Sequence, residues 1–243
     1  MSGVRIYNAG SRVMNTYVYP APAGWVMVDT GYDGGLAAVK RRLKRKGVAL
    51  SELRYVFLTH AHDDHAGFLN ELLSSCPWIK VIASGKAIPT LLRGQNSFEG
   101  RCGGFGAFAF CKSMGLLGRG KHLFPAIDRR HLDRFLEISP QNQEDLEKLL
   151  GGKILTTPGH TADSISLKVD DIVFCGDAAM NGVPSSKRVT IWIEDKAEFQ
   201  RSWDVLLAER AKLIYPAHGK PFDPHDLEKY KGRIPKIRLY TLK

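Results

Sequence analysis

The 243-residue sequence predicts an α/β fold. In both halves of the chain, short runs rich in β-branched and aromatic residues alternate with stretches that have the apolar spacing of an amphipathic helix. Such alternation is typical of sheets covered by helices. No linker rich in Pro, Ser or Gly separates the halves, so we expect a single domain over residues 1–243.

The first third of the chain contains five strands and two helices in this interpretation. The first helix is predicted because Leu36, Val39 and Leu43 lie on one stripe, and Gly47 follows as a stop signal. In chain order the predicted elements are strands at 4–7, 15–19 and 24–29, a helix at 34–46, a strand at 53–58, a helix at 66–75 and a strand at 80–83.

The middle of the chain, residues 84–137, breaks this rhythm and is predicted to be an insertion. It contains the glycine-rich and aromatic stretch RCGGFGAFAFCKSMGLLGRG, followed by helical character around residues 128–136. Long irregular segments of compact domains are often functional, which favours a lid or a pocket wall. A packed helical decoration explains the same residues equally well.

The last third resumes the alternation. Two strands at 164–169 and 172–175 are predicted to form a hairpin across Asp170 and Asp171. The other predicted elements are a strand at 153–156, a helix at 195–209 and a strand at 212–215.

The composition sets broad limits on function. The formal net charge is +10, which attracts anionic partners, but the densest basic run, residues 40–46, closes a predicted helix and favours a solvated helix end. No apolar run is long enough to cross a membrane, and the N-terminus lacks the pattern of a signal peptide. The four cysteines are too sparse for a disulfide scaffold. We therefore expect a cytoplasmic protein with reduced thiols and no membrane partner.

The stretch FLTHAHDDHAGF, residues 57–68, carries the strongest chemical signal. Burial of so many titratable groups after an apolar run is costly unless something compensates them. Imidazole and carboxylate are the ligands of zinc, and also of iron and manganese. The pattern His60, His62, Asp64 and His65 therefore predicts a metal site that needs further ligands downstream.

Three downstream residues meet that need. His160, Asp177 and His218 each lie between the end of a predicted strand and a small residue. One such histidine alone would favour a core position, whereas convergent groups favour a metal site. No nucleotide-binding loop or nucleophile–histidine arrangement competes with it. Cys175 is predicted to be an inert buried thiol, and three other histidines are predicted to face solvent: His122, His131 and His225.

Four motifs, THAHDDHAG (59–67), TPGHT (157–161), GDA (176–178) and PAHG (216–219), follow an early DTG (29–31). In that order and spacing they resemble the metal motifs of the metallo-β-lactamase superfamily. The resemblance runs from about residue 14 to residue 219, outside the middle segment. It implies an αββα sandwich in which two mixed sheets carry helices on their outer faces.

The resemblance also implies a dinuclear centre of two divalent ions, zinc first, with iron or manganese as alternatives. His60, His62 and His160 would hold the first ion. Asp64, His65 and His218 would hold the second, and Asp177 would bridge both. Asp29 would support the site through hydrogen bonds, whereas Asp63 lies one place off the pattern and would be exposed or in the outer shell.

The implied function is hydrolysis of a small ester, thioester or lactone by a metal-bridging hydroxide, with Asp64 as the catalytic group that orients the nucleophile and moves a proton. Asp177 stands where zinc β-lactamases carry Cys or Ser, which disfavours antibiotic hydrolysis. The short tail after His218 disfavours the glutathione-thioester branch, and no Glu replacement or flavin domain points to the diiron redox branch.

Other functions stay open at this point. The basic charge is compatible with a phosphodiesterase or nuclease of the same superfamily, in which nucleic acid replaces the small-molecule substrate, but no dedicated RNA-binding module is present and this alternative is not favoured. A non-catalytic metal-binding protein is a further alternative. A sulfur dioxygenase that uses a single iron ion is a less favoured alternative. The sequence does not reveal the substrate, the native metal, the oligomeric state or the role of residues 84–137.

Overall fold

The computed structural model describes residues 4–242. Their contacts divide the chain into two compact units. The first comprises residues up to 96 together with 123–154, and the second comprises residues 97–122 together with those from 155 onward. Part of the predicted insertion therefore belongs to the second unit, although it interrupts the first in sequence. The single domain over residues 1–243 stays a prediction.

The strands and helices alternate as the sequence predicts. The strands are β1 (Tyr7–Asn8), β2 (Tyr17–Ala21), β3 (Gly24–Val28), β4 (Leu53–Phe57), β5 (Lys80–Ser84), β6 (Arg101–Cys102), β7 (Phe135–Ile138), β8 (Lys153–Thr156), β9 (Ile165–Val169), β10 (Ile172–Gly176), β11 (Trp192–Ile193) and β12 (Leu213–Pro216). The helices are α1 (Leu36–Arg45), α2 (Leu69–Ser75), α3 (Ile88–Arg93), α4 (Phe105–Leu116), α5 (Gln143–Leu150), α6 (Lys196–Ala208) and α7 (His225–Lys231).

The first unit is built on a six-stranded sheet with the order β1-β2-β3-β4-β5-β7. The pairs from β1 to β3 are antiparallel, and those from β3 through β4 and β5 to β7 are parallel. Val28 pairs with Phe57, the last residue of β4. Because parallel strands end at the same sheet edge, the residues after β3 and β4 emerge beside each other.

Helix α1 covers the first unit as its apolar spacing predicts. Leu36, Val39 and Leu43 are buried, and they belong to the same core cluster as the α2 leucines and the sheet. The last turn of α1 carries basic side chains, where cations interact favourably with the helix dipole. The basic run is therefore a solvated helix end.

The second unit contains the sheet β12-β10-β9-β8 and the small pair β11-β6. Strands β9 and β10 form the predicted hairpin, and Asp170 in its turn has a φ of 50°. Asp195 caps the N-terminus of helix α6, where its carboxylate accepts two backbone N–H groups, and the helix buries Phe199 and Trp203 in the core. Trp203 Nε1 donates to the Ala178 carbonyl at 2.7 Å, which fixes the helix beside the loop after β10.

The helix predicted around residues 128–136 is wrong. Arg129–Arg134 form a 3₁₀ turn, and Phe135–Ile138 form β7, which pairs with β5 and completes the first sheet. The turn ends at Arg134, directly before β7, so its i,i+3 spacing conceals a strand of only four residues. No helix within residues 4–242 has both the length and the apolarity to cross a bilayer.

His131 corrects another expectation. It was predicted to face solvent but is buried at the 3₁₀ turn, with its Nε2 3.1 Å from Ser74 Oγ. Burial, followed by the charge of Arg134, lowers the pKa of this imidazole. His131 is therefore a core histidine with a polar partner. His225 is exposed, as predicted, and Cys175 is buried, as predicted.

Candidate metal site

The first unit holds a cluster of histidines in the loop between β4 and α2. His60, His62 and His65 are buried, and Asp64 is half-buried. The backbone N–H of His65 donates to the His62 carbonyl at 3.0 Å, which folds the loop into a tight turn. The ring centroids of His60 and His62 lie 4.6 Å apart, and those of His60 and His65 lie 3.9 Å apart. Asp64 Oδ1 lies 3.8 Å from His65 Nε2.

Asp29 connects the end of β3 to this cluster. Its buried carboxylate accepts the Thr59 N–H at 2.7 Å, the Thr59 hydroxyl at 2.8 Å and the His65 Nδ1–H at 2.8 Å. Thr59 Oγ1 in turn lies 3.1 Å from His60 Nδ1. Both rings therefore present Nδ1 to the Asp29–Thr59 pair and direct Nε2 away from it. A carboxylate on the second ring nitrogen is the usual support of a metal-ligating histidine. The predicted hydrogen-bonding role of Asp29 is confirmed.

Within residues 4–242, Asp63 is not a member of the groups of side chains that could hold a metal ion. Its backbone N–H donates to Asn96 Oδ1 at 2.8 Å, and its carboxylate accepts Asn96 Nδ2–H at 2.8 Å. This reciprocal pair ties the histidine loop to the residues that follow α3. Nothing in the sequence around Asn96 indicates this role.

The second unit holds His160, Asp177 and His218 after β8, β10 and β12. Strands β10 and β12 are parallel, with Gly176 opposite Pro216, so Asp177 and His218 leave the sheet at the same edge. Asp177 Oδ2 lies 3.7 Å from His160 Nε2, and Asp177 Oδ1 lies 3.5 Å from His218 Nε2. Each carboxylate oxygen therefore faces a different imidazole.

His160 is held by a segment that the sequence analysis missed. Its Nδ1 donates to the Trp192 carbonyl at 2.8 Å. The Glu194 N–H donates to the Gly159 carbonyl at 2.9 Å, and Glu194 Oε2 accepts the Ala162 N–H at 2.8 Å. Burial raises the pKa of the Glu194 carboxyl. Trp192 and Glu194 thus fix the loop around His160 from both sides.

The two clusters match the chemistry of a divalent metal. Both consist of imidazoles and carboxylates, the ligand set of zinc, iron and manganese. His65 and His160 both use Nδ1 in a hydrogen bond to an oxygen, which leaves Nε2 as the ligating atom of each ring. The donor set and its hydrogen-bonded support therefore fit the metal that the motifs imply.

Comparison with known proteins identifies the family. A sequence model described as the metallo-beta-lactamase superfamily matches residues 10–218, which is most of the chain. The chain belongs to the metallo-β-lactamase superfamily. As a member, it is a metal-dependent hydrolase whose histidine-rich clusters are candidate metal ligands.

Individual relatives are distant. The metallo-beta-lactamase fold-containing protein ST1585 of Sulfurisphaera tokodaii is 26% identical over 227 residues, covering 90% of this chain and 77% of the relative. The probable metallo-hydrolase YflN of Bacillus subtilis is 24% identical over 190 residues, covering 75% and 67%.

A solved metallo-beta-lactamase from Cronobacter sakazakii, mutated in its HARLDQ motif, aligns with a TM-score of 0.65. It is 21% identical and covers 95% of this chain and 91% of its own. Likeness at this level of identity concerns the fold alone. The predicted α/β fold of the metallo-β-lactamase type is confirmed.

Proposed function

We propose that this superfamily member is a dinuclear hydrolase of a small ester, thioester or lactone. In this proposal the two clusters together hold two divalent ions, which we expect to be zinc. The enzyme acts on a small molecule in the cytoplasm. The ligands of the first ion are His60, His62 and His160. Those of the second are Asp64, His65 and His218, with Asp177 shared.

The observation that carries the dinuclear proposal is the position of Asp177. Its two carboxylate oxygens face the Nε2 atoms of two different histidines, His160 at 3.7 Å and His218 at 3.5 Å. A carboxylate with one oxygen toward each of two ligands is suited to bridge two ions. A Cys or Ser at this position would offer only one ligating atom.

The chain's own residues supply the rest of the chemistry. A bound divalent ion lowers the pKa of its water to about 7, which makes a nucleophile available at neutral pH. Asp64 is half-buried, next to His65, and is the carboxylate that would orient the attacking water and take up its proton. Asp29 and Trp192 would hold His65 and His160 in the ligating orientation.

An acyl substrate is supported by helix α4 and the residues after it. Phe105, Phe110, Leu116 and Leu117 are exposed there, and the rings of Phe105 and Phe108 contact Tyr240. Ligand sites are mostly apolar, with few polar contacts. An apolar surface of this kind suits an acyl chain better than a nucleic-acid backbone.

The test is hydrolysis by zinc-loaded protein of three probes: an acyl thioester, an acyl lactone and an activated phosphodiester. Asp64→Asn is the variant and Asp63→Asn is the matched control, because an Asn at position 63 can still accept from Asn96. We expect acyl turnover that is lost in Asp64→Asn and retained in Asp63→Asn.

The other outcomes would each overturn the proposal in a different way. Turnover of the phosphodiester alone would identify a phosphodiesterase and make the basic charge the important feature. Bound metal with no turnover of any probe would indicate a metal-binding protein. Equal activity of both variants would remove Asp64 from the catalytic role.

A further inference from the structure

Two of the four cysteines, which the sequence predicts to be reduced, lie together in the second unit. Cys102 ends β6, and Cys111 lies nine residues later in α4. Helix α4 packs on β6, and the two thiols form a side-chain hydrogen bond. Both are reduced, like Cys76 and Cys175. The absence of a C-x-x-C motif had concealed this pair.

The backbone explains how the two thiols meet. Gly104, with a φ of 135°, turns the chain between β6 and α4. Ala107 is buried and lies one helical turn before Cys111, so the two residues lie on the same face of α4. The Cys102 N–H and carbonyl bond to the backbone of Tyr240 at 2.8 and 3.1 Å, and the Phe108 ring lies 5.6 Å from the Tyr240 ring. These contacts hold the helix against the strand.

The two thiols differ in environment. Cys102 is fully buried, whereas Cys111 is half-buried and within reach of a small reagent. The hydrogen bond from Cys102 lowers the pKa of Cys111, and the charge of His122 adds to this effect. The same hydrogen bond, together with burial, raises the pKa of Cys102. Residues 100–127 contain no Asp or Glu, so no nearby acidic side chain of this segment opposes a thiolate.

We propose that Cys111 and Cys102 form an oxidant-reactive thiol pair whose substrate is a hydroperoxide. The Cys111 thiolate attacks the terminal peroxide oxygen, the O–O bond breaks, and hydroxide or alkoxide leaves as Cys111 becomes a sulfenic acid. The Cys102 sulfur then displaces the hydroxyl group, which departs with the Cys102 proton as water. The two thiols are oxidised to one disulfide, and the peroxide is reduced.

The proposed Cys102–Cys111 disulfide would affect neighbouring parts of the second unit. It would join the exposed apolar helix α4 covalently to β6. Cys102 pairs with Trp192 of β11, and the Trp192 carbonyl accepts from His160. The disulfide would therefore form one strand away from the support of a candidate metal ligand. The pair itself does not depend on the proposed hydrolysis.

The experiment uses the full chain, reduced and then exposed to a small excess of hydrogen peroxide. The protein is denatured in N-ethylmaleimide, and its intact mass and peptides are measured. We expect two of the four cysteines to escape alkylation, a Cys102–Cys111 disulfide in the peptide map, and full alkylation after dithiothreitol. Cys111→Ser should form no such disulfide, and in Cys102→Ser the Cys111 thiol should oxidise further to sulfinic acid.

Cys76→Ser is the matched control, because burial raises the pKa of that thiol and no cysteine partner accompanies it. It should form the Cys102–Cys111 disulfide as readily as the unaltered chain. Complete alkylation of all four thiols after peroxide would overturn the proposal. So would a disulfide that includes Cys76 or Cys175, or an equal loss of alkylation in Cys111→Ser, which at its half-buried position should fold normally.

Discussion

Replacement of Asp29 by Asn tests the support of the first ligand cluster. Asp29 has a φ of 56°, a left-handed conformation that Asn tolerates better than most residues, so the backbone should persist. The amide oxygen can still accept the Thr59 N–H. The amide NH₂, however, would face His65 Nδ1–H, and this contact is unfavourable because both groups are hydrogen-bond donors. The ring can relieve this by moving its proton to Nε2, the nitrogen that would ligate the metal.

The expected magnitude follows from these contacts. Loss of a carboxylate that supports a ligating histidine lowers metal affinity by about 10–100-fold, or about 1.4–2.8 kcal/mol. The metal-free protein should also lose about 1–3 kcal/mol of unfolding free energy, because buried donors lose a charged acceptor. Metal affinity should therefore fall together with the unfolding free energy. The loss of unfolding free energy should be measurable but smaller than the loss that a cavity in the core would cause.

The assay is a competition titration of zinc against a chromogenic chelator, with histidine tautomers followed by nitrogen NMR. Asp33→Asn is the control, since Asp33 is an exposed carboxylate on the same loop. Folded Asp29→Asn protein that binds two zinc ions as tightly as Asp33→Asn would refute the reasoning. A weaker affinity with an unchanged His65 tautomer would refute the proton transfer alone.

Three further changes test other parts of the structure. Asp177→Asn should reduce bound metal below two ions per chain and turnover by at least about 100-fold, measured by elemental analysis and kinetics. Burial raises the pKa of the Tyr19 hydroxyl, which donates to the Leu150 carbonyl. Unfolding free energy should thus fall above about pH 10, by up to about 1.4 kcal/mol per pH unit, and Tyr19→Phe should lack this loss in denaturant titrations. Gly159→Ala places a Cβ 2.2 Å from a backbone nitrogen and should cost about 1–3 kcal/mol, whereas Gly232→Ala meets nothing and should be neutral.

The sequence was sufficient to predict the strands that precede the candidate metal ligands of the second unit. His160, Asp177 and His218 follow β8, β10 and β12 as predicted, because strands with alternating or continuous apolar residues are recognisable locally. Asp29 could be placed near the histidines because the family motif includes it. That the seven residues share one dinuclear centre stays a prediction.

The features that the sequence did not reveal depend on backbone groups or on partners that lie far away in the sequence. Trp192 supports His160 with a carbonyl, and any residue type could supply one, so its side chain gives no signal. His131 carries no mark of burial, because its partner Ser74 lies 57 positions away. The helix predicted around residues 128–136 overlaps the start of β7 for the same reason: β5, which pairs with β7, lies far earlier in the chain.

The pairing of β6 has a consequence for biosynthesis. Its partners, Trp192 and the backbone of Tyr240, are translated long after it, and Tyr240 follows Cys102 by 138 residues. At about 5–20 residues per second, β6 and the apolar helix behind it wait roughly 7–28 seconds on the ribosome without those partners. During that interval the nascent chain exposes phenylalanines and a strand edge together. Chaperone demand should therefore be concentrated on residues 97–122, and premature termination near the C-terminus should favour aggregation over a shortened fold.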